Sequence, residues 1–177
     1  LTIDSVTVGS EPQTFDYDGE RLYIHLSKPT LAGQPITLTI AYAVKEPQRG
    51  IYFIAPDEHY PDKPYQVWTQ GEDEDSRFWF PCFDYPGQLA TSEVRVRVPK
   101  KYVALSNGDL ISTEEDGKAK IYHWKLDKVH PSYLMTLAIG EYDSIETEWR
   151  GRPVRYYVAK GRKDQIELTM GKTPQMM

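Results

Sequence analysis

The sequence predicts an all-β fold, an antiparallel β-sandwich with a short helical segment at the C-terminal end. Three observations predict it. Apolar residues recur at period two in one run after another, as they do in strands buried on one face. Pro-, Gly- and Asp-rich breaks separate those runs at short intervals. No long helical periodicity lies between them, which argues against a parallel α/β sheet.

The runs follow in order. The chain starts inside an extended stretch, Leu1-Thr-Ile-Asp-Ser-Val6. In Arg21–Leu26, residues Leu22, Ile24 and Leu26 share a face. In Ile36–Val44, residues Ile36, Leu38, Ile40, Tyr42 and Val44 face one way, and Thr37 and Thr39 face the other. Val94, Val96 and Val98 alternate with Arg95 and Arg97. Tyr122, Trp124 and Leu126 alternate with Ile121, His123 and Lys125, and Val154, Tyr156 and Val158 repeat the pattern. Asp18-Gly19, Ala32-Gly33 and Asp116-Gly117 are the breaks between runs, and Asn107-Gly108 reads as a tight hairpin turn. Tyr133–Ile139 is apolar on nearly both faces and is expected to be a central strand.

The C-terminal end changes character. Asp164 is placed to cap a short helix, with Glu167 at the reciprocal position and Gly171 as the stop. Thr173-Pro174 then reads as the start of another helix, for which Met177 leaves no room. The expected division is a β-sandwich domain over 1–160, cut at its start, and a linker over 161–177 leading into a missing domain.

Composition narrows the function. Lys plus Arg is 21 and Asp plus Glu is 26, a net charge of -5, which disfavours nucleic acid as a partner. No run is long enough to span a membrane, and no basic-then-apolar leader is visible. Cys82 is the only cysteine, so an internal disulfide and the usual cysteine-ligated zinc sites are both excluded. The only asparagine, Asn107, is not in a glycosylation sequon. These features fit a reducing compartment, and the cytoplasm is the expected location.

The segment Trp68–Pro86, WTQGEDEDSRFWFPCFDYP, is not patterned as a strand. It sets Glu72, Asp73, Glu74 and Asp75 beside Phe78, Trp79, Phe80 and Phe83. Acid runs are ordinarily solvated loop faces, and clustered aromatics are ordinarily core. Together they can also recognise a cation, through charge-assisted hydrogen bonds and aromatic faces. The spacing does not match a calcium loop, since the central Gly and the late Glu of an EF-hand are missing.

This segment resembles a signature of the aminopeptidase N family of zinc peptidases. The resemblance rests on Thr69, Gln70, Glu72, Arg77, Phe80, Pro81, Cys82, Phe83, Asp84 and Pro86. Val103-Ala-Leu-Ser-Asn-Gly108, and Ser132-Tyr-Leu134 with Ile139-Gly-Glu-Tyr142, are similar to later pieces of the same family domain. The similarity runs in order from about Gly50 to Tyr142. It departs mildly at Tyr85, where many members carry Glu.

The resemblance implies a saddle-shaped N-terminal β-domain lying over a thermolysin-like catalytic domain, its partner within the same enzyme. It implies that Glu72 binds the free α-ammonium group of a peptide substrate and that Gln70 lines the pocket for the first side chain. Arg77 and Asp84 are expected to brace the loop, and Cys82 to be a buried small hydrophobe. Zinc in this family is held by His-Glu-x-x-His on a helix plus a distant Glu. His25, His59, His123 and His130 offer no such spacing. No cofactor is therefore expected on this chain, no residue of it is expected to be catalytic, and zinc is expected in the catalytic domain.

Two other readings stand beside this one. Some relatives keep the architecture as non-catalytic interaction scaffolds, one of them in a transcription initiation complex. A generic sandwich binding module would suit the 13 tyrosines, although most lie in alternating strands where packing explains them.

Overall fold

A computed structural model describes residues 1–177. The chain divides into two compact units, Leu1–Tyr52 with Thr69–Thr91 and Lys128–Met135, and Phe53–Trp68 with Ser92–Asp127 and Thr136–Met177.

The first unit carries a four-stranded antiparallel sheet of β1 (Thr2–Val8), β2 (Glu11–Tyr17), β3 (Leu22–His25) and β4 (Leu38–Ala43), in the order β3-β2-β1-β4. The period-two runs at 21–26 and 36–44 become β3 and β4, each trimmed at its ends. Asp18 makes the β2–β3 turn, its Oδ1 accepting the backbone N–H of Glu20 at 2.8 Å and of Arg21 at 2.6 Å. Val6 on β1 is buried, paired with Gln13 of β2 and Ile40 of β4. Gln13 is buried too, and its amide is satisfied at both ends. Its Nε2 donates to the Glu11 carbonyl, and its Oε1 accepts from the backbone N–H of Ser27. Residues 70–88 in this unit form an irregular loop with one 3-10 turn, Ser76–Phe78.

The second unit takes β5 (Ile51–Ile54) from its third residue, β6 (Gln66–Thr69) up to Trp68, β7 (Leu89–Pro99) from Ser92, β8 (Val103–Ser106), β9 (Asp109–Asp116) and β10 (Ala119–Pro131) up to Asp127. Then come β11 (Leu137–Gly140), β12 (Tyr142–Trp149), β13 (Arg152–Ala159) and the short helices α1 (Gln165–Met170) and α2 (Thr173–Met176). The sheets run β5-β6-β11-β8, β7-β10-β9 and β12-β13. Val98, Ala104 and Tyr122 form a buried core, packed by Val96, Tyr102, Trp124 and Ile139. The polar ends of its aromatics are satisfied. Trp124 Nε1 donates to the Ala104 carbonyl at 3.0 Å, and the Tyr122 hydroxyl to the Tyr102 carbonyl at 3.3 Å.

The all-β class expected from the sequence is the one observed, with antiparallel ladders and a short helical end. Three local expectations are corrected. Asn107-Gly108 is not a hairpin: β8 pairs with β11 and β9 with β10, so the bend carries the chain from one sheet to another. Gly108 is required there. Its φ is +84°, and a Cβ would stand 2.0 Å from the Lys125 carbonyl oxygen. Asn107 instead ties the bend down, its Oδ1 accepting the backbone N–H of Thr136 at 2.6 Å.

The central strand expected over 133–139 starts only at Leu137. Pro131 has no N–H to give, and Met135 N–H closes a 3-10 turn, Ser132–Leu134, on the Ser132 carbonyl. What remains as β11 is internal to its sheet, as expected.

The capping signals at the end are also not used as read. Asp164 makes no side-chain capping bond, Gly171 keeps a right-handed φ of -60°, and Thr173 lies inside α2, where its hydroxyl donates back to the Met170 carbonyl. Two short helices in succession let the chain continue through Gly171 without the left-handed residue that a stop needs.

Candidate functional site

The acidic segment is a tight, braced turn. Gly71 leaves the end of β6, and the backbone N–H of Asp75 returns to the Gly71 carbonyl at 2.9 Å. Glu72, Asp73 and Glu74 are presented on the outside of that turn, all exposed. The peptide joining Glu72 to Asp73 is cis. Gln70, also exposed, precedes Gly71, and its backbone N–H is held by the Gly50 carbonyl at 3.0 Å.

Two glycines let the turn sit this low. Gly71 is buried, and a Cβ there would stand 2.7 Å from both the Ser76 hydroxyl and the Tyr133 carbonyl oxygen. Gly50 has φ +84°, and a Cβ on it would meet the Asp75 carbonyl oxygen at 2.2 Å. In both places backbone packs where any side chain would collide.

The four acids differ in what they can still bind. Glu74 Oε2 takes the Arg77 Nη2–H at 2.5 Å. Asp75 faces Arg49 at 3.4 Å, and the Arg49 guanidinium lies over the Phe78 ring, 5.2 Å from its centre. Glu72 and Asp73 have carboxylates without a hydrogen-bond or ion-pair partner in the chain. The Gln70 side chain is likewise unengaged.

Below the turn Arg77, Asp84, Ser76 and Ser132 are committed to one another, whereas the Trp79 Nε1–H is buried without a hydrogen-bond partner. The Asp84 carboxylate is nearly buried, with 4% of its side chain exposed. Its Oδ2 accepts the Arg77 backbone N–H at 3.0 Å and the Arg77 Nε–H at 3.1 Å, and its Oδ1 accepts the Ser132 hydroxyl at 2.7 Å. Ser76, with no exposure at all, donates its hydroxyl to the Ser132 carbonyl at 2.9 Å. The hydrogen bond to Asp84, set against the opposing effect of burial, holds the Arg77 guanidinium above its ordinary range, with Glu74 adding to it. Arg77 and Asp84 thus brace the loop.

Cys82 is half-buried, and its thiol is pushed up to about 12, chiefly by burial and then by the nearby Asp84 charge. It is a packing residue at neutral pH.

Two grooves flank the loop within this unit. One, of about 660 Å³, is largely apolar, with Ile3, Leu22, Ile24, Ile40 and Phe80 in its walls. The other, of about 470 Å³, is polar, with Glu20, Arg49, Asp73 and Arg77 among its lining residues. Neither is lined by Glu72 or Gln70, which are both exposed.

The donor set does not fit zinc. His25 pairs with Asp16 and His123 with Glu93, both at 2.7 Å, and His130 contacts the Lys128 carbonyl and the Met135 sulfur. His59 lies in the turn that Asp57 organises. No three His, Cys, Asp or Glu side chains gather where they could hold an ion. No helix is long and apolar enough to cross a membrane.

The acid run, Arg77 and Asp84 stand out in the sequence. Gly71, Ser76, Arg49 and the close approach of Gly50 do not. Gly71 had a signal, a glycine set between a strand end and an acidic run. Ser76 had none, and Ser132 stood out only within the family resemblance with no sign of its role, because each finds its partner far away in the chain.

Comparison with known proteins agrees with the resemblance seen in these residues. Residues 2–134 match the family described as the peptidase M1 N-terminal domain. The chain is 33% identical to aminopeptidase B of Rattus norvegicus over 140 residues, 79% of this chain and 21% of that protein. It is 31% identical to transcription initiation factor TFIID subunit 2 of Danio rerio over 60% of this chain and 9% of that one. Among solved structures, Legionella pneumophila aminopeptidase A in complex with aspartic acid superposes with a TM-score of 0.83 at 23% identity, over 99% of this chain and 21% of that chain. The chain therefore spans about a fifth of the length of the aminopeptidases it matches.

Proposed function

Because this chain belongs to the peptidase M1 N-terminal domain family, we propose that it is the substrate-recognition part of a zinc aminopeptidase and that Glu72 binds the α-ammonium group of a peptide substrate. One observation carries the reading. Glu72 stands on a braced turn with its carboxylate uncommitted, while Glu74 and Asp75 in the same turn are engaged by arginines. An exopeptidase must read the charged end of its substrate, and a fixed carboxylate that is free to accept N⁺–H bonds does so with little reorganisation.

Gln70, one residue from Gly71 and equally uncommitted, lines the pocket for the first side chain. The rest of the pocket around both residues is supplied by the catalytic domain of the full-length protein. That domain also holds the zinc, whose contribution when bound is to polarise the scissile carbonyl. This chain gives the metal no ligand, and its own part is to bind and orient the amino end. The cytoplasm is the compartment proposed, in keeping with a lone, packed cysteine.

The test is release of a chromophore from aminoacyl anilides by the full-length protein, with and without a zinc chelator. Chelator-sensitive release is expected. Absence of both zinc and activity would favour a scaffold, of which the similarity to a transcription-factor subunit is the specific reminder.

A further inference from the structure

We propose that Asp84 is a positioning residue for Glu72, fixing the turn that carries it through Arg77 on one side and Ser132 on the other. The inference rests on the role proposed for Glu72, which Asp84 does not touch.

A nearly buried carboxylate survives only if its lone pairs are taken up. Here both oxygens are used, and they are used on two different stretches of chain. Oδ2 grips residue 77 by its backbone N–H and its Nε–H. Oδ1 grips Ser132 by its hydroxyl. Those two stretches are what the turn rests on. Arg77 ties back to the turn at the Glu74 carbonyl and carboxylate. The Ser132 carbonyl takes the buried Ser76 hydroxyl, and the Tyr133 backbone is the surface against which Gly71 lies. Asp84 thus links the outgoing limb of the turn to its seat, alongside the shorter tie from the Ser76 hydroxyl to the Ser132 carbonyl. It is also the only carboxylate in the loop that is withdrawn from solvent, since Glu72, Asp73 and Glu74 are exposed and Asp75 partly so.

The consequence concerns recognition. Binding through a single charge-assisted contact depends steeply on placement, and a misplacement of about 1 Å can cost on the order of a hundredfold. Removing Asp84 removes no substrate contact. It lets the turn move relative to Ser132, so its effect falls on the affinity for an α-ammonium group.

The experiment uses the full-length protein and measures competitive inhibition by an amino-acid amide and by its desamino counterpart. The ratio of the two inhibition constants reads the α-ammonium contact alone. Asp84→Asn and Ser132→Ala are each expected to reduce that ratio on the order of tenfold, to raise KM, and to leave kcat within about twofold. Ser132→Thr, which keeps the hydroxyl, is expected to restore the ratio. Val98→Ala, a core change in the second unit, lowers stability and is expected to leave the ratio untouched.

If Asp84→Asn does not fold, Ser132→Ala decides, since it deletes one hydrogen bond. A wild-type ratio in Asp84→Asn and Ser132→Ala, with the ratio lost in Glu72→Ala, overturns the positioning role and leaves the proposed function standing. A wild-type ratio in Glu72→Ala itself overturns both.

Discussion

The carbonyl oxygen of Asp75 occupies the space that a side chain on Gly50 would need, 2.2 Å from the ideal Cβ position. The backbone before β5 and the far limb of the acidic turn are pressed together at this point, and Gly50 adds a left-handed φ that disfavours any L side chain.

Gly50→Ala therefore meets both a forbidden conformation and a backbone clash. The expected loss is about 2–4 kcal/mol, read as a fall in Tm of roughly 5–15 °C. A variant that melts with the wild type would show that the approach relaxes at no cost.

Glu72 and Asp73 are adjacent, exposed and equally free of partners, so kinetics must separate them. In the full-length protein, Glu72→Ala is expected to raise KM for aminoacyl anilides about 10–100-fold, the worth of a charge-assisted hydrogen bond. Asp73→Ala is expected to stay within about twofold. Equal effects would mean that the turn acts as a diffuse negative patch, with no single ammonium site.

Cys82 makes stability fall at alkaline pH. Its folded value of about 12 lies above the ordinary 9.0, so between these limits the unfolded chain gives up the thiol proton while the folded chain keeps it. Stability from this group is complete below pH 9 and is lost as pH rises toward 12. Denaturant unfolding from pH 8 to 11 is expected to show this decline, and Cys82→Ala is expected to flatten it. At pH 8 the folded thiol is expected to react with iodoacetamide far more slowly than the unfolded one.

Zinc titrated into this chain is expected to give no saturable one-to-one isotherm. Its histidines are dispersed and individually engaged or lodged in turns. A tight stoichiometric site would place a metal function on this chain and require a donor set other than the one described.

The sheets were legible because their information is local. Leu22 and Ile24, or Val96 and Val98, announce a strand through neighbours two residues apart. Pairing partners were not legible. Asn107-Gly108 has the composition of a hairpin turn, yet the strands it joins belong to different sheets, a fact set by residues as distant as Thr136. The helix caps failed for a similar reason, since Asp164 and Gly171 are used by a chain that turns twice in quick succession. At the site, charge and aromatic clustering mark the stretch around Glu72, and the family resemblance supplies the role proposed for it. That Ser76 and Ser132 seat the turn was not legible, because a serine carries no pattern until its partner is known.

The strand order β3-β2-β1-β4 has a consequence for how the chain comes into being. Strand β1 is an inner one, zipped to its neighbour β2 across a short turn and to β4 only after the intervening segment has been synthesised. A nascent chain emerging from the ribosome can form the β1–β2–β3 meander early, but one edge of β1 stays open to misdirected pairing until Ala43 is out. A pause in translation just before β4 would prolong that exposure, and one just after it would not.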